Sequence, residues 1–126
     1  MAKVKPAMRF TILGQPVSMK NSRQFIRPGL IIKSKKALQY EKDFLAQIPP
    51  KFKLNIESKV MVKVIAYYGS RRPDLDCELI CDCLQKGGVL KNDRQIMEKY
   101  FIKRLDKDNP RADIEITENY ETISKS

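Results

Sequence analysis

Ten residues constrain this chain more than any others: Lys59–Tyr68 places Val60, Val62, Val64, Ala66 and Tyr68 at every second position. A period of two sets these side chains on one face of a β-strand, and an apolar face of that length needs a covering layer. The rest of the chain supplies one. Ser34 opens SKKALQYEKDFLAQI, where Ala37, Leu38, Leu45 and Ile48, with Tyr40, Phe44 and Gln47 between, fit a helix. Ser34 caps it and Pro49-Pro50 ends it. Leu75, Leu79, Ile80, Cys83 and Leu84 recur at helical spacing and predict a second helix, stopped by Gly87-Gly88. Met8–Leu13 alternates and ends at Gly14-Gln15-Pro16, which reads as an opening strand and turn. Arg23–Arg27 and Leu30–Lys33 flank Pro28-Gly29 as a short hairpin. Asn92 is placed to cap one short turn around Asp93–Ile96. Glu98–Leu105 and Asp113–Glu118 read as a closing hairpin through Asp106–Arg111, and Tyr120–Ser126 as a frayed tail. The expected class is α+β, a small mixed β-sheet with two helices packed on it, on one face. The 126 residues make one domain, with a basic half 1–53, an acidic half 54–118 and a tail 119–126.

Charge divides those halves. The chain carries a formal +10. Residues 1–53 hold twelve of its lysines and arginines against only Glu41 and Asp43, while the remainder balances thirteen bases with thirteen acids. A one-sided excess is the electrostatic footprint of a face for nucleic-acid phosphates, although a solubilising surface with a basic arm has the same composition. The chain has no histidine. That excludes Ser-His-Asp and Cys-His hydrolysis, histidine-ligated zinc and any nuclease with a histidine base. Catalysis would have to rest on carboxylates, lysine, tyrosine, cysteine or a metal.

The longest apolar run, Val64–Tyr68, is too short to span a membrane, and the N-terminus shows no apolar export segment. A cytoplasmic protein is expected. Cys77, Cys81 and Cys83 lack the Cys-x2-Cys pairs of a zinc site and read as reduced, buried filler.

The informative stretch is Tyr67–Asp93. Asp74 and Asp76 follow the strong strand after an Arg71-Arg72-Pro73 turn, where a loop meets a helix N-terminus. Carboxylates at i and i+2 of an extended segment point to one side and suit one hard cation. Asp93 stands at the next loop-to-helix junction. Three acids from two loops beside two arginines suit metal-assisted phosphodiester hydrolysis, in which metal activates water and arginine holds phosphate. Each acid taken alone also reads as a helix cap or turn residue. Glu78, Asp82 and Lys86, four apart, read as a solvated helix face.

Tyr68-Gly-Ser-Arg-Arg-Pro-Asp-Leu-Asp, a short helix, and Gly-Gly-Val-Leu-Lys-Asn-Asp93-Arg-Gln-Ile together resemble the RusA family of Holliday-junction resolvases. Arg111-Ala-Asp-Ile-Glu-Ile-Thr-Glu118 is similar to that family's last strand, and Gly14-Gln-Pro-Val-Ser-Met-Lys20-Asn-Ser-Arg23 resembles its first loop. The resemblance implies a small homodimeric, Mg²⁺-dependent endonuclease (Mn²⁺ as a possible substitute) acting on four-way DNA junctions in recombination and repair. Proteins of this kind are often encoded by phages and prophages, which would place it in a bacterial cytoplasm. It further implies that Asp74, Asp76 and Asp93 are the catalytic, metal-binding acids. The expected DNA-facing set is Lys20, Asn21, Arg23, Arg27, Lys33, Lys35, Lys36, Arg71 and Arg72. A dimer would offer two equivalent sites for paired symmetric nicks. The other readings of the residues are a non-catalytic DNA- or RNA-binding module and a different carboxylate-dependent nuclease.

The chain departs from the family pattern in two ways. Members usually have Asn after the second Asp and a catalytic Lys three residues beyond it; here those positions hold Cys77 and Ile80. The intervening helix is also about two residues shorter. Lys20 is the first candidate to supply the missing cation to catalysis, and Lys86 the second.

Overall fold

A computed structural model describes residues 7–18, 23–27 and 30–118, and for 23–27 and 30–33 the backbone alone. The expected turn at Pro28-Gly29 and the tail lie outside the described residues. The chain runs β1 (Met8–Leu13), β2 (Arg23–Arg27), β3 (Leu30–Lys33), α1 (Lys35–Gln47), β4 (Val60–Tyr68), α2 (Glu78–Lys86), β5 (Ile96–Leu105) and β6 (Arg111–Glu118). Strands β2 and β3 pair antiparallel as the expected hairpin. The other four form a mixed sheet in the order β1-β6-β4-β5.

The alternating strand takes an inner position. Val60, Val62, Val64, Ala66 and Tyr68 are all buried, and Tyr68 is the largest fully buried side chain described. They meet Phe10 and Ile12 of β1 and Ile114 and Ile116 of β6 in one core, closed by Ala37, Tyr40 and Phe44 of α1 and Leu79, Ile80, Cys83 and Leu84 of α2. Ser34 caps α1 as expected, its hydroxyl accepting from the Ala37 amide at 3.1 Å. The two helices end against each other at Gly87. A Cβ there would overlap Ile48 Cδ1 and lie 3.1 Å from the Cys83 carbonyl, so a larger residue would have to displace packed atoms. Gly88 is required by conformation, with φ at +81°.

Two expectations need correction. Strands β5 and β6 do not form a closing hairpin, because β4 lies between them: β5 pairs with β4 in parallel and β6 pairs with β4 antiparallel. The short Asp106–Pro110 loop steps over the end of β4, where the Asp106 amide donates to the Tyr68 carbonyl at 2.9 Å. Side-chain chemistry explains the order. Strand β4 has no exposed residue, whereas β5 carries Glu98, Lys99, Lys103 and Arg104 and tolerates only an edge. The second correction concerns α2, which starts at Glu78 and leaves Leu75 outside the helix and 36% exposed. The parallel β4–α2–β5 crossover puts the loop after β4 and the N-terminus of α2 at the same end of the sheet.

Candidate functional site

The loop after β4 is tied to the loop after β1. The Gly69 amide donates to Gln15 Oε1 at 2.8 Å, while the Gly14 amide donates to the Pro110 carbonyl of the loop between β5 and β6 at 3.0 Å. Ser18 donates its hydroxyl to Asp76 Oδ2 at 3.1 Å, and the Glu78 amide donates to Asp76 Oδ1 at 3.0 Å. Asp76 is thus drawn inward until it is 8% exposed, the one charged side chain buried among the described residues. Asp74 stays exposed. The two acids therefore differ in environment, because the first amide of α2 claims the second carboxylate.

Asp74 lines a cavity of about 220 Å³ with Gln15, Pro16, Val17, Ser18, Lys36, Arg72 and Pro73. Two cations expected to face DNA, Lys36 at the start of α1 and Arg72 of the turn, thus share a groove with an expected catalytic acid. Arg71 and Lys35 are exposed beside them in sequence. The side chains of Arg23, Arg27 and Lys33 are not described, and Lys20 and Asn21 lie outside the described residues.

Asp93 opens a 3₁₀ turn, Asp93–Gln95, whose capping is done by its neighbours. Asn92 Oδ1 accepts from the Arg94 amide at 2.9 Å, and Gln95 Oε1 accepts from the Asn92 amide at 2.9 Å. Gln95 also donates to the carbonyls of Ile56 and Ser58, fixing the turn to the segment that leads into β4. The Asp93 amide donates to Gln85 Oε1 of α2 at 3.1 Å, and its side chain is exposed. The carboxylate is not what holds this turn.

Charges converge around Cys81. Burial pushes its thiol up to about 12; the nearby Lys99 ammonium works against that rise, and Glu78, Asp93 and Asp76 add to it. Acids from both loops therefore act on one buried sulfur. Lys99 itself donates to Glu78 at 2.9 and 3.3 Å. Burial disfavours its charge, but the Glu78 hydrogen bond, with Cys81 and Asp93 nearby, raises its pKa overall. The three cysteines are buried and none forms a disulfide, as filler should be.

Strand β5 supplies a second lysine. Lys103 donates to the carbonyls of Arg71 at 3.0 Å and Pro73 at 2.5 Å, and its ammonium lies 5.8 Å from the centre of the Tyr68 ring. Tyr68 donates its hydroxyl to the Asp74 carbonyl at 3.4 Å. Two side chains of the sheet thus hold the backbone of the acid-bearing loop. Sequence reasoning singled out neither lysine, although positions 99, 101 and 103 alternate and must share a face.

Three aspartates are chemically suited to a hard divalent cation, which takes oxygen ligands. Among the described residues, no group of three His, Cys, Asp or Glu side chains is gathered closely enough to hold one. The donors fit in kind and stand apart in space. Ile80 is 1% exposed in the core, so this position of α2 faces away from solvent. Lys86 donates to both Glu41 oxygens at 3.1 Å and lies 3.7 Å from Asp82, a brace between α1 and α2. No described helix is long and apolar enough to cross a membrane.

No curated protein matches the chain significantly. The model of the family described as endodeoxyribonuclease RusA matches residues 14–117, from the glycine that ends β1 to the penultimate residue of β6. That span contains both tied loops, all three aspartates, β4, β5 and all of β6 but its last residue. The chain belongs to the RusA endodeoxyribonuclease family.

Proposed function

We propose that this endodeoxyribonuclease is a Mg²⁺-dependent Holliday-junction resolvase acting as a homodimer, with Asp74, Asp76 and Asp93 as its metal ligands. One observation carries the reading: Asp74, Lys36 and Arg72 line a single groove, and Ser18 of the same groove is bonded to the buried Asp76, in a chain of a DNA-cleaving family. A phosphate entering that groove finds cations to hold it and acids suited to a metal. A bound Mg²⁺ would supply hydroxide at neutral pH and stabilise charge on the departing 3′-oxygen, in a chain that has no histidine for either task. The protein's own share is placement. Ser18 and the Glu78 amide orient Asp76, Lys103 and Tyr68 hold the loop of Asp74, and Asn92 and Gln95 set the turn of Asp93.

Substrate selection would come from the shape and spacing of the basic surface, because phosphate contacts position DNA without reading bases. Lys20, Asn21, Arg23, Arg27, Lys33, Lys35, Lys36, Arg71 and Arg72 are assigned to it, and a C2 dimer would present two such surfaces to the arms. Recombination and repair in a bacterial cytoplasm, on a phage or prophage gene, is the setting this activity suits. The test is incubation of labelled four-way junction and matched linear duplex with Mg²⁺, Mn²⁺ or chelator. Paired nicks in the junction, dependent on metal, are expected. Junction binding without cleavage under any metal would make the chain a binding module, and equal cutting of linear duplex would make it a different nuclease.

A further inference from the structure

Carboxylates that suit a metal also repel a phosphodiester: Lys36 and Arg72 answer Asp74 in its groove, and the acids on the α2 side, Asp76 and Asp93, need a cation of their own close to the reacting phosphate. Helix α2 does not supply it. Its residue 80 is an isoleucine packed in the core, and its Lys86 is engaged by Glu41 and Asp82. The edge strand does. Pairing of Val62 with Lys99, Val64 with Phe101 and Ala66 with Lys103 puts these three β5 residues on the helix-covered side of the sheet. The two lysines then face different elements. Lys103 donates to the carbonyls of Arg71 and Pro73 and lies over the Tyr68 ring, so it is taken up in holding the loop. Among the described residues Lys99 donates to one carboxylate, which is itself half-exposed: the Lys99 side chain is 36% exposed and that of Glu78 50%. Asp93 acts on it from the second acid-bearing segment.

We propose that Lys99, from the edge strand and not from the helix, is the catalytic cation of this nuclease. Glu78 holds its ammonium at the N-terminus of α2 in the free protein. When the scissile phosphate enters, Lys99 donates to a non-bridging oxygen and balances the charge that builds there as the leaving oxygen departs. It stays protonated throughout and forms no covalent bond. An exposed ion pair contributes little to stability, so the Glu78 contact is cheap to exchange for a phosphate. The proposal rests on the nuclease reading above.

Single-turnover cleavage of labelled four-way junction by the full chain with Mg²⁺ tests it, alongside junction affinity measured without metal. Lys99→Gln is expected to slow cleavage about a hundredfold, the scale of losing one preorganised donor. Affinity should change less than about threefold, since Lys99 would be one cation among many on the phosphates. Lys99→Arg should recover the rate to within about tenfold, and Lys86→Met should cleave at the wild-type rate. The decisive comparison uses Glu78→Gln. If Lys99 serves only to neutralise Glu78, the defect of Lys99→Gln disappears in the Glu78→Gln background, which overturns the proposal; a defect that persists there supports it. Wild-type cleavage by Lys99→Gln, or an arginine variant as slow as the glutamine one, also overturns it while leaving the nuclease reading intact. A wild-type chain that cuts no junction with any metal overturns both.

Discussion

Asp76 has two candidate occupations, helix capping and chemistry, and a pair of substitutions separates them. Alanine removes the acceptor of the Glu78 amide and of the Ser18 hydroxyl. Losing a capping side chain costs about 1 kcal/mol, and losing a hydroxyl bond to a charged group costs about 1.5 kcal/mol. For a chain of 126 residues each kcal/mol lowers the melting temperature by about 4 °C. Asp76→Ala should therefore melt about 10 °C below wild type. Asparagine keeps Oδ1 for the Glu78 amide, and Asn caps as well as Asp, so Asp76→Asn should melt within about 4 °C of wild type. Cleavage should respond differently: asparagine lacks the charge a hard cation requires, and both variants should lose at least about a hundredfold in single-turnover rate. Junction binding should persist or tighten, because a negative charge has left the groove. The same outcome is expected for Asp74→Asn and Asp93→Asn. The assays are thermal melting followed by circular dichroism and cleavage of labelled junction at saturating protein. Near wild-type cleavage by Asp76→Asn, with Asp76→Ala unstable, would show that the residue is a cap alone and would refute the assignment of the acids.

Gly87→Ala places a methyl against Ile48 and the Cys83 carbonyl and should cost about 1–3 kcal/mol by overpacking, read in a urea titration. Lys103→Met frees the backbone of Arg71 and Pro73, so it should lower the single-turnover rate more than junction affinity; a fall in affinity alone would disprove a positioning role. Burial raises Cys77, Cys81 and Tyr68 to about 12 from ordinary values of 9.0, 9.0 and 10.0. The stability these neutral groups contribute is complete below pH 9 and is lost as pH climbs toward 12, so alkaline melting temperatures should fall over that window. In the native protein at pH 8 the three cysteines should resist a thiol reagent and react together on unfolding. Neutralising Lys20, Arg23 and Arg27 together should lower the slope of log K against log[salt] by about 0.9 for each phosphate no longer paired with a cation; an unchanged slope would move the DNA face toward Arg71 and Arg72.

The elements that sequence periodicity located are those whose pattern answers to a single neighbour. Val60–Tyr68 alternates because one face meets the helices, and α1 carries its stop and start signals in Ser34 and Pro49-Pro50. The placement of Asp76 was half legible. Its position before a helix announced a carboxylate near free amides, but the inward turn depends on Ser18, distant in sequence and brought near by the Gln15–Gly69 tie. Separate environments for Asp74 and Asp76 follow from that long-range contact, which no i, i+2 rule contains.

Strand order is where local reasoning fails, and the failure bears on function. Glu98–Leu105 and Asp113–Glu118 are joined by a loop of turn-forming residues, and adjacent strands so joined usually pair. The competing term is the burial each strand can accept. A hairpin would be satisfied by any two strands, but the most apolar strand must sit where both its edges are covered, and β4 takes that place between them. Displaced to the edge, β5 needs charge to discourage pairing with another chain. Its lysines satisfy that need wherever they point along the free edge. The parallel register with β4 turns Lys99 and Lys103 toward α2 and the loop before it. Edge protection alone would be met equally by lysines on the open face of the sheet, at 98, 100 or 102. Only the observed alternation delivers one ammonium to the carbonyls of Arg71 and Pro73 and another to Glu78. The same two residues therefore guard an edge and bind across it, and a sequence pattern that reads as an ordinary charged edge gives no sign of the contacts its lysines make with Glu78 and with the loop of Asp74.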